Sequence, residues 1–457
     1  MQSLILQRRT GVISPLEFSR TLADKNYQSQ LFQTAKYNVF PMNAHHNALV
    51  NALSMDSDEN RFLLSGCGDS SIKIWDTNEQ EQIREENEID LSKVNHPAKY
   101  DLFDYDNPVS VFKNMATVPR KTEHQFGVSA IQWWPYDTGM FVSSSFDHTI
   151  KVWDTNELCS VHTFNLNNRV YSVDLNGPKS LVAAASDQPF IRILDVRSTS
   201  SAHTLKGHKG KTLSVKWHPL NEHLLASGGY DGQAKIWDIR RSENLLCLLD
   251  MHHTNKQANT TFGLKKTTST SISAPASAKA HLGPVNGLSW DELGTTLYTA
   301  GNDDKIRVWD MVGSSYPPVN KLINFGPLTR NKYTQTIPIL LNPMGETNLQ
   351  YLLFPSESGE ILVHRTIDGK LVNRLGRKGS KNIGRTCSMC NGGPNTGSYI
   401  CGTVDGELIC WQVFSDYIDL SEIFEERKEE EEDVERLLLK KHTLALKAKN
   451  LMKSLEV

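Results

Sequence analysis

The chain has 457 residues, with 49 Lys and Arg against 52 Asp and Glu, a formal net charge of -3 and 39% hydrophobic residues. That balance argues against strong nucleic-acid binding through bulk positive charge. No run approaches the roughly 18 apolar residues that span a bilayer, the opening MQSLILQRRTG is unlike a signal peptide, and the seven scattered cysteines form no secreted disulfide framework. A reducing, intracellular setting without membrane attachment is therefore expected.

Residues 1–36 read as a partly helical arm. Leu4, Ile5 and Leu6 form a compact apolar knob before Arg8 and Arg9, Gly11 is a helix stop, and Ser14-Pro15 can open a second short helix. Two roles fit: folding back on the rest of the chain, or anchoring in a partner. The β-rich run Tyr37 to Phe40 could supply a closing strand.

From residue 37 to about 415 the chain repeats. In FLLSGCGDSSIKIWD, the run from Met140 to Asp154, LLASGGYDGQAKIWD and LYTAGNDDKIRVWD, an Asp stands six residues before a Trp and a Ser or Thr four before that Asp, with a His about twenty residues upstream. The four sets are His46, Ser65, Asp69, Trp75; His124, Ser143, Asp147, Trp153; His208, Ser227, Asp231, Trp237; and His281, Thr299, Asp303, Trp309. Hydroxyl, imidazole, carboxylate and indole N–H can close one hydrogen-bonded chain inside a small sheet, so these residues are read as structural, not catalytic.

In the second copy, strands are expected at Val128 to Trp133, Met140 to Ser145 and Thr149 to Trp153, with Pro135, Asp137 and Gly139 in the first gap. Weaker copies end at Asp195, lie around His364 and lie around Trp411, which brings the count to seven. The constellation is similar to the WD40 repeat family. One blade cannot bury both of its faces, so the expected architecture is all-β, a closed seven-bladed propeller.

Two insertions interrupt it. Residues 79–120 open with the acidic run EQEQIREENEID and read as solvated; residues 251–279 end in the Ser/Thr/Ala-rich TTSTSISAPASAK, which suits disorder and phosphorylation. Further on, Arg374, Arg377, Lys378, Lys381 and Arg385 sit among glycines with no interleaved aromatic residue in that stretch. They make either a solvated turn or a contact to phosphate or an acidic partner. Cys387 and Cys390 are three apart, on opposite faces of any strand, so no metal site is expected and the thiols are read as filling the last blade. Residues 416–457 leave the propeller; from Ser421 an acidic run precedes apolar residues at helical spacing, suited to docking on the propeller, pairing with a partner helix or self-association.

The run Trp133 to Leu158 is more specific than a generic repeat. With the opening MQSLILQRRTG, NAHHNALVNALSMD and KIWDIRR, it resembles the Cockayne syndrome A family, whose fungal relatives include a yeast radiation-sensitivity protein. That resemblance implies a nuclear substrate receptor that docks on the damage-binding adaptor of a cullin-4 ubiquitin ligase and acts with stalled RNA polymerase II and repair factors in transcription-coupled nucleotide excision repair. The alternative is a WD40 scaffold in a DNA-repair or chromatin complex with no ligase link.

Receptors of that class share a sixteen-residue box ending in W-D-x-R, matched by LASGGYDGQAKIWDIR and in part by ILDVR. The resemblance therefore marks Leu4, Ile5, Leu6, Asp195, Arg197, Asp238 and Arg240 for adaptor contact. Arg240 either reaches a partner or pairs only with Asp238. No Walker loop, G-x-S-x-G elbow or H-E-x-x-H occurs, so neither an enzyme nor a cofactor is expected.

Overall fold

The computed structural model describes residues 7–9, 11–21, 48–82, 110–135, 137–254, 278–312, 318–333, 335–345, 347–357, 359–375, 385–392, 399–406 and 408–411. Leu4, Ile5, Leu6, the strand expected at 37–40, His46, Arg377, Lys378, Lys381 and the helix expected from Ser421 lie outside them.

Among the described residues the strands form seven sheets, six of four strands and one of three, each an antiparallel meander in sequence order. The blades span residues 50–118, 128–165, 170–206, 212–248, 285–320, 340–375 and 386–411. Their strands are called a to d from the axis outward. The a strands meet around the axis, and those of blades 7 and 1 touch. Ser388 Oγ donates to the Val50 carbonyl at 2.9 Å, which closes the ring. The protein is a seven-bladed β-propeller.

What seats one blade on the next is a small residue in strand b. A Cβ on Gly66 would stand 2.7 Å from Val128 Cγ1, on Gly228 2.8 Å from Val285 Cγ1 and on Gly402 2.6 Å from Val50 Cγ1. The same strand position carries Ser144 in blade 2 and Ala300 in blade 5. Interiors are close-packed, so a larger residue there would have to push two sheets apart.

The polar sets clamp blades 2, 4 and 5 internally. Trp153 Nε1 donates to Ser143 Oγ at 2.7 Å, Ser143 Oγ lies 2.7 Å from His124 Nε2, and His124 Nδ1 lies 2.8 Å from Asp147. Blade 4 repeats it through Trp237, Ser227, His208 and Asp231, and blade 5 through Trp309, Thr299, His281 and Asp303. One proton direction satisfies every group: indole to hydroxyl, hydroxyl to Nε2, and Nδ1–H to carboxylate, with the imidazole neutral. In blade 1, Trp75 donates to Ser65 at 2.9 Å and Asp69 accepts from Ser71. The Asp begins the b–c turn, and the residue after it takes a left-handed backbone at Ser70, His148, Gly232, Asp304 and Gly406.

Two boundaries differ from expectation. The 79–120 segment is not all loop: strand c of blade 1 runs Ile72–Gln82, into the start of the acidic run, and pairs with Ser110–Val118, Gln82 opposite Ser110. In blade 2, Asp137 and Gly139 belong to strand b, Asp137–Ser145; Asp137 pairs with Trp134 across a bulge, and its Oδ1 accepts from Gly139 N at 2.8 Å.

Burial lowers the affinity of His208 and His281 for a proton, against the pull of Asp231 and Asp303. Burial would also raise the Asp carboxyls, but hydrogen bonds outweigh it: those donated by His208 and two backbone N–H groups bring Asp231 down to about 2, and His124 and His281 hold Asp147 and Asp303 lower still.

Two predictions follow from this packing. Gly228→Ala, whose Cβ would stand 2.8 Å from the Val285 carbonyl oxygen, is expected to lower unfolding free energy by about 1–3 kcal/mol in urea titration. Acid should weaken the fold in two stages. Below the ordinary histidine value of 6.5 the unfolded chain takes up protons that His208 and His281 resist, and below the ordinary carboxylate value of 3.8 it takes up those the Asp residues resist. The denaturant midpoint should therefore fall between about pH 7.5 and about pH 5.5, and fall less in a His208→Gln, His281→Gln double variant. Equal falls in both proteins would assign the effect elsewhere.

Candidate functional site

In a meander, successive turns alternate between the ends of the blade. The b–c turns and d–a connections form one rim of the propeller, here the upper; the a–b and c–d turns form the lower. Arg197 and Arg240 follow strands c of blades 3 and 4 and stand on the lower rim. Arg374 ends strand d of blade 6 and Arg385 precedes strand a of blade 7, on the upper rim. The sequence-marked arginines thus occupy opposite faces.

On the lower rim, Arg240 folds onto its own box. Its Nε donates to Asp238 Oδ1 at 3.1 Å, its outer nitrogen to Oδ2 at 3.0 Å, and its backbone N–H to Oδ1 at 3.0 Å. The guanidinium hydrogen bond comes first among the causes that hold the Asp238 carboxyl below its ordinary value. The pairing is intramolecular, yet the Arg240 side chain remains 58% exposed, whereas Asp238 is buried at 6%. A planar cation held by a buried carboxylate is fixed in direction and can still offer donors outward.

Arg197 is held differently. Its backbone N–H donates to Asp195 at 2.9 Å and its Nε to Ser180 at 3.2 Å. Between the two arginines the a–b turns meet: Lys179 Nζ lies 2.6 Å from His223 Nδ1, and the Ile239 N–H donates to the His223 carbonyl. Arg241 adds a second exposed guanidinium, 3.8 Å from Asp238. Lys179, His223 and Arg241 escaped the sequence reading because neither turn matches a motif; only the doubled arginine in KIWDIRR marked the place.

Of the basic segment on the upper rim, Arg374 and Arg385 are among the described residues, and each is engaged separately. Arg374 is paired with Glu360. Arg385 stacks 3.2 Å from the centroid of Tyr333 and reaches Gln335, so an aromatic residue from the approach to blade 6 does interleave with this segment.

The axial cavity, about 430 Å³, is lined by the a strands and the approach to blade 6; Lys216, the cation in its wall, is bound to Asp174 at 2.7 Å. Cys387 and Cys390 are both buried, and burial pushes the Cys390 thiol well up. Among the described residues no group of three or more His, Cys, Asp or Glu is placed to hold a metal ion, and no helix is long and apolar enough to cross a membrane.

Comparison with known proteins agrees with this architecture. The family described as WD domain, G-beta repeat matches residues 37–76, 117–154, 199–238 and 275–310. The WD repeat-containing protein ATCSA-1 of Arabidopsis thaliana is 29% identical over 73% of this chain and 81% of its own length. Radiation-sensitive protein 28 of Saccharomyces cerevisiae is 25% identical over 59% of this chain, and the match covers 55% of the yeast protein. Ribosome biogenesis protein ytm1 of Pyrenophora tritici-repentis is 29% identical, but over 43% of each chain. The chain is thus a seven-bladed propeller carrying WD40 repeats, and over most of its length it is similar to the Arabidopsis protein and, more distantly, to the yeast one.

Proposed function

We propose that this WD40 scaffold is a nuclear, non-catalytic substrate receptor that presents a target to a cullin-4-type ubiquitin ligase during transcription-coupled nucleotide excision repair. The observation that carries the reading is the lower rim of blades 3 and 4. Arg240 is oriented by Asp238 at the end of the W-D-x-R box, with Arg197 on the neighbouring blade and Lys179 between them. Such a row suits the carboxylates and carbonyls of the damage-binding adaptor.

The N-terminal arm supplies a second contact. Residues 15–21 are helical, Ser14 Oγ caps the Glu17 N–H at 3.1 Å, and Val12 and Leu16 are 71% and 59% exposed. A capped helix with exposed apolar side chains is suited to a partner's groove, and Leu4, Ile5 and Leu6 would extend it. Stalled RNA polymerase II and repair factors are the proposed cargo. The yeast relative's name, which refers to radiation sensitivity, supports a repair setting.

Arg240→Ala is expected to weaken adaptor binding at least about tenfold while leaving the thermal transition little changed, since exposed pairs contribute little to stability. Affinity purification after ultraviolet irradiation should recover adaptor and cullin with wild type and lose both with Arg240→Ala and with residues 1–13 deleted. Recovery of polymerase or repair factors with no ligase subunit would favour the plain scaffold.

A further inference from the structure

The upper rim of blades 2 to 5 carries an aromatic seam that the lower-rim reading does not use. Phe126 is 64% exposed, Tyr230 49% and Leu282 70%. Between them the rings connect. The Phe146 N–H donates to the Gly127 carbonyl beside Phe126, and the Phe146 ring packs edge-on to Tyr171 at 6.1 Å. Lys211 Nζ lies 5.4 Å from the Tyr171 ring and 5.2 Å from the Tyr230 ring. The Gly232 turn following Tyr230 abuts the carbonyls of His281 and Gly283, which flank Leu282.

The charge of the seam is one-sided. Arg169 and Lys209 are exposed beside Lys211, and none of the three is in an ion pair among the described residues. The acids nearby point elsewhere: Asp147, Asp231 and Asp303 turn inward to His124, His208 and His281 and are 7%, 10% and 8% exposed, and Asp187 lies 3.4 Å from the Tyr171 hydroxyl. In a chain of net charge -3, this is a local concentration of cations on an apolar strip.

We infer that this seam binds an acidic, extended peptide of a partner protein that carries an aromatic or large aliphatic side chain among its carboxylates. The apolar side chain lies against Phe126, Phe146 and Tyr230, and the flanking carboxylates meet Arg169, Lys209 and Lys211. Peptide fits better than single-stranded nucleic acid, because Lys211 and the edge of Phe146 already cover Tyr171, which removes it as a stacking platform. The site is independent of the adaptor reading, since it lies on the opposite rim from Arg240.

The test uses the full chain and an array of fluorescein-labelled Asp/Glu-rich dodecapeptides, each with a single Phe or Leu moved through every position. Matched peptides have that residue replaced by Ser or the Glu residues by Gln, and labelled oligothymidylate is run alongside. Acidic peptides with the apolar residue should bind. Binding should weaken at least about tenfold on loss of either feature and in both Lys211→Glu and Phe126→Ser, the latter an exposed position that leaves folding intact. Arg240→Ala should bind as wild type, so failure here and failure of the adaptor reading are distinguishable. No binding to any acidic peptide, binding unchanged in folded Phe126→Ser, or tighter binding of oligothymidylate would each overturn the inference.

Discussion

The propeller depends on one steric constraint, the closeness with which strand b of each blade meets strand a of the next. At Gly66, Gly228 and Gly402 the valine methyl of the neighbouring blade stands where a Cβ would be. The equivalent positions carry Ser144 in blade 2, Ala300 in blade 5 and Pro355 in blade 6. Because the ring is closed, an error of spacing at one seam has to be absorbed at the others. A few side-chain atoms at these positions therefore control the shape of the whole molecule, although none of these residues carries charge or chemistry.

Within a blade, the polar chain shows which groups must change together. Blade 3 has Ala184 at the hydroxyl position and Leu194 at the indole position, so acceptor and donor are both gone. Blade 6 has Phe354 and His364, and the imidazole turns away to the Gly369 carbonyl at 3.1 Å. Blade 7 keeps the indole and softens the acceptor: Trp411 Nε1 donates to Cys401 Sγ at 3.1 Å. A buried indole N–H without an acceptor is costly, whereas removing both partners is nearly neutral; blades 3 and 7 follow that rule, while blade 6 leaves His364 Nε2 buried without a hydrogen-bond partner.

This pairing explains how much could be read from the sequence. The Ser, Asp and Trp at fixed spacing are visible because each satisfies the others, and from them follow the blade count, the turns and the burial of the histidines. Flanks of the acidic insertion were misread because charge composition masked the pairing of Gln82 with Ser110, a contact between residues far apart in the chain. The lower rim was half legible: the box located Arg240 and Arg197, whereas the Lys179–His223 contact joins two unremarkable turns. The upper seam could not be read at all. Phe146, Tyr171 and Tyr230 come from three blades, and only the ring brings the two tyrosines to Lys211 and Phe146 against Tyr171.

The matched repeats do not coincide with blades. Residues 117–154 take in the end of strand d of blade 1 and stop in strand c of blade 2, and 199–238 take in strand d of blade 3 and stop in strand c of blade 4, so these two repeats finish one sheet and start another. Closure is also late, because Ser388 and Val50 are 338 positions apart. At roughly 5–20 residues per second of synthesis, Val50 leaves the ribosome roughly 20–70 s before Ser388 exists. For that interval the side of the first sheet that will meet blade 7 has no neighbour, although its other side can already pack on blade 2, and the open side is exposed to wrong pairing or to a chaperone.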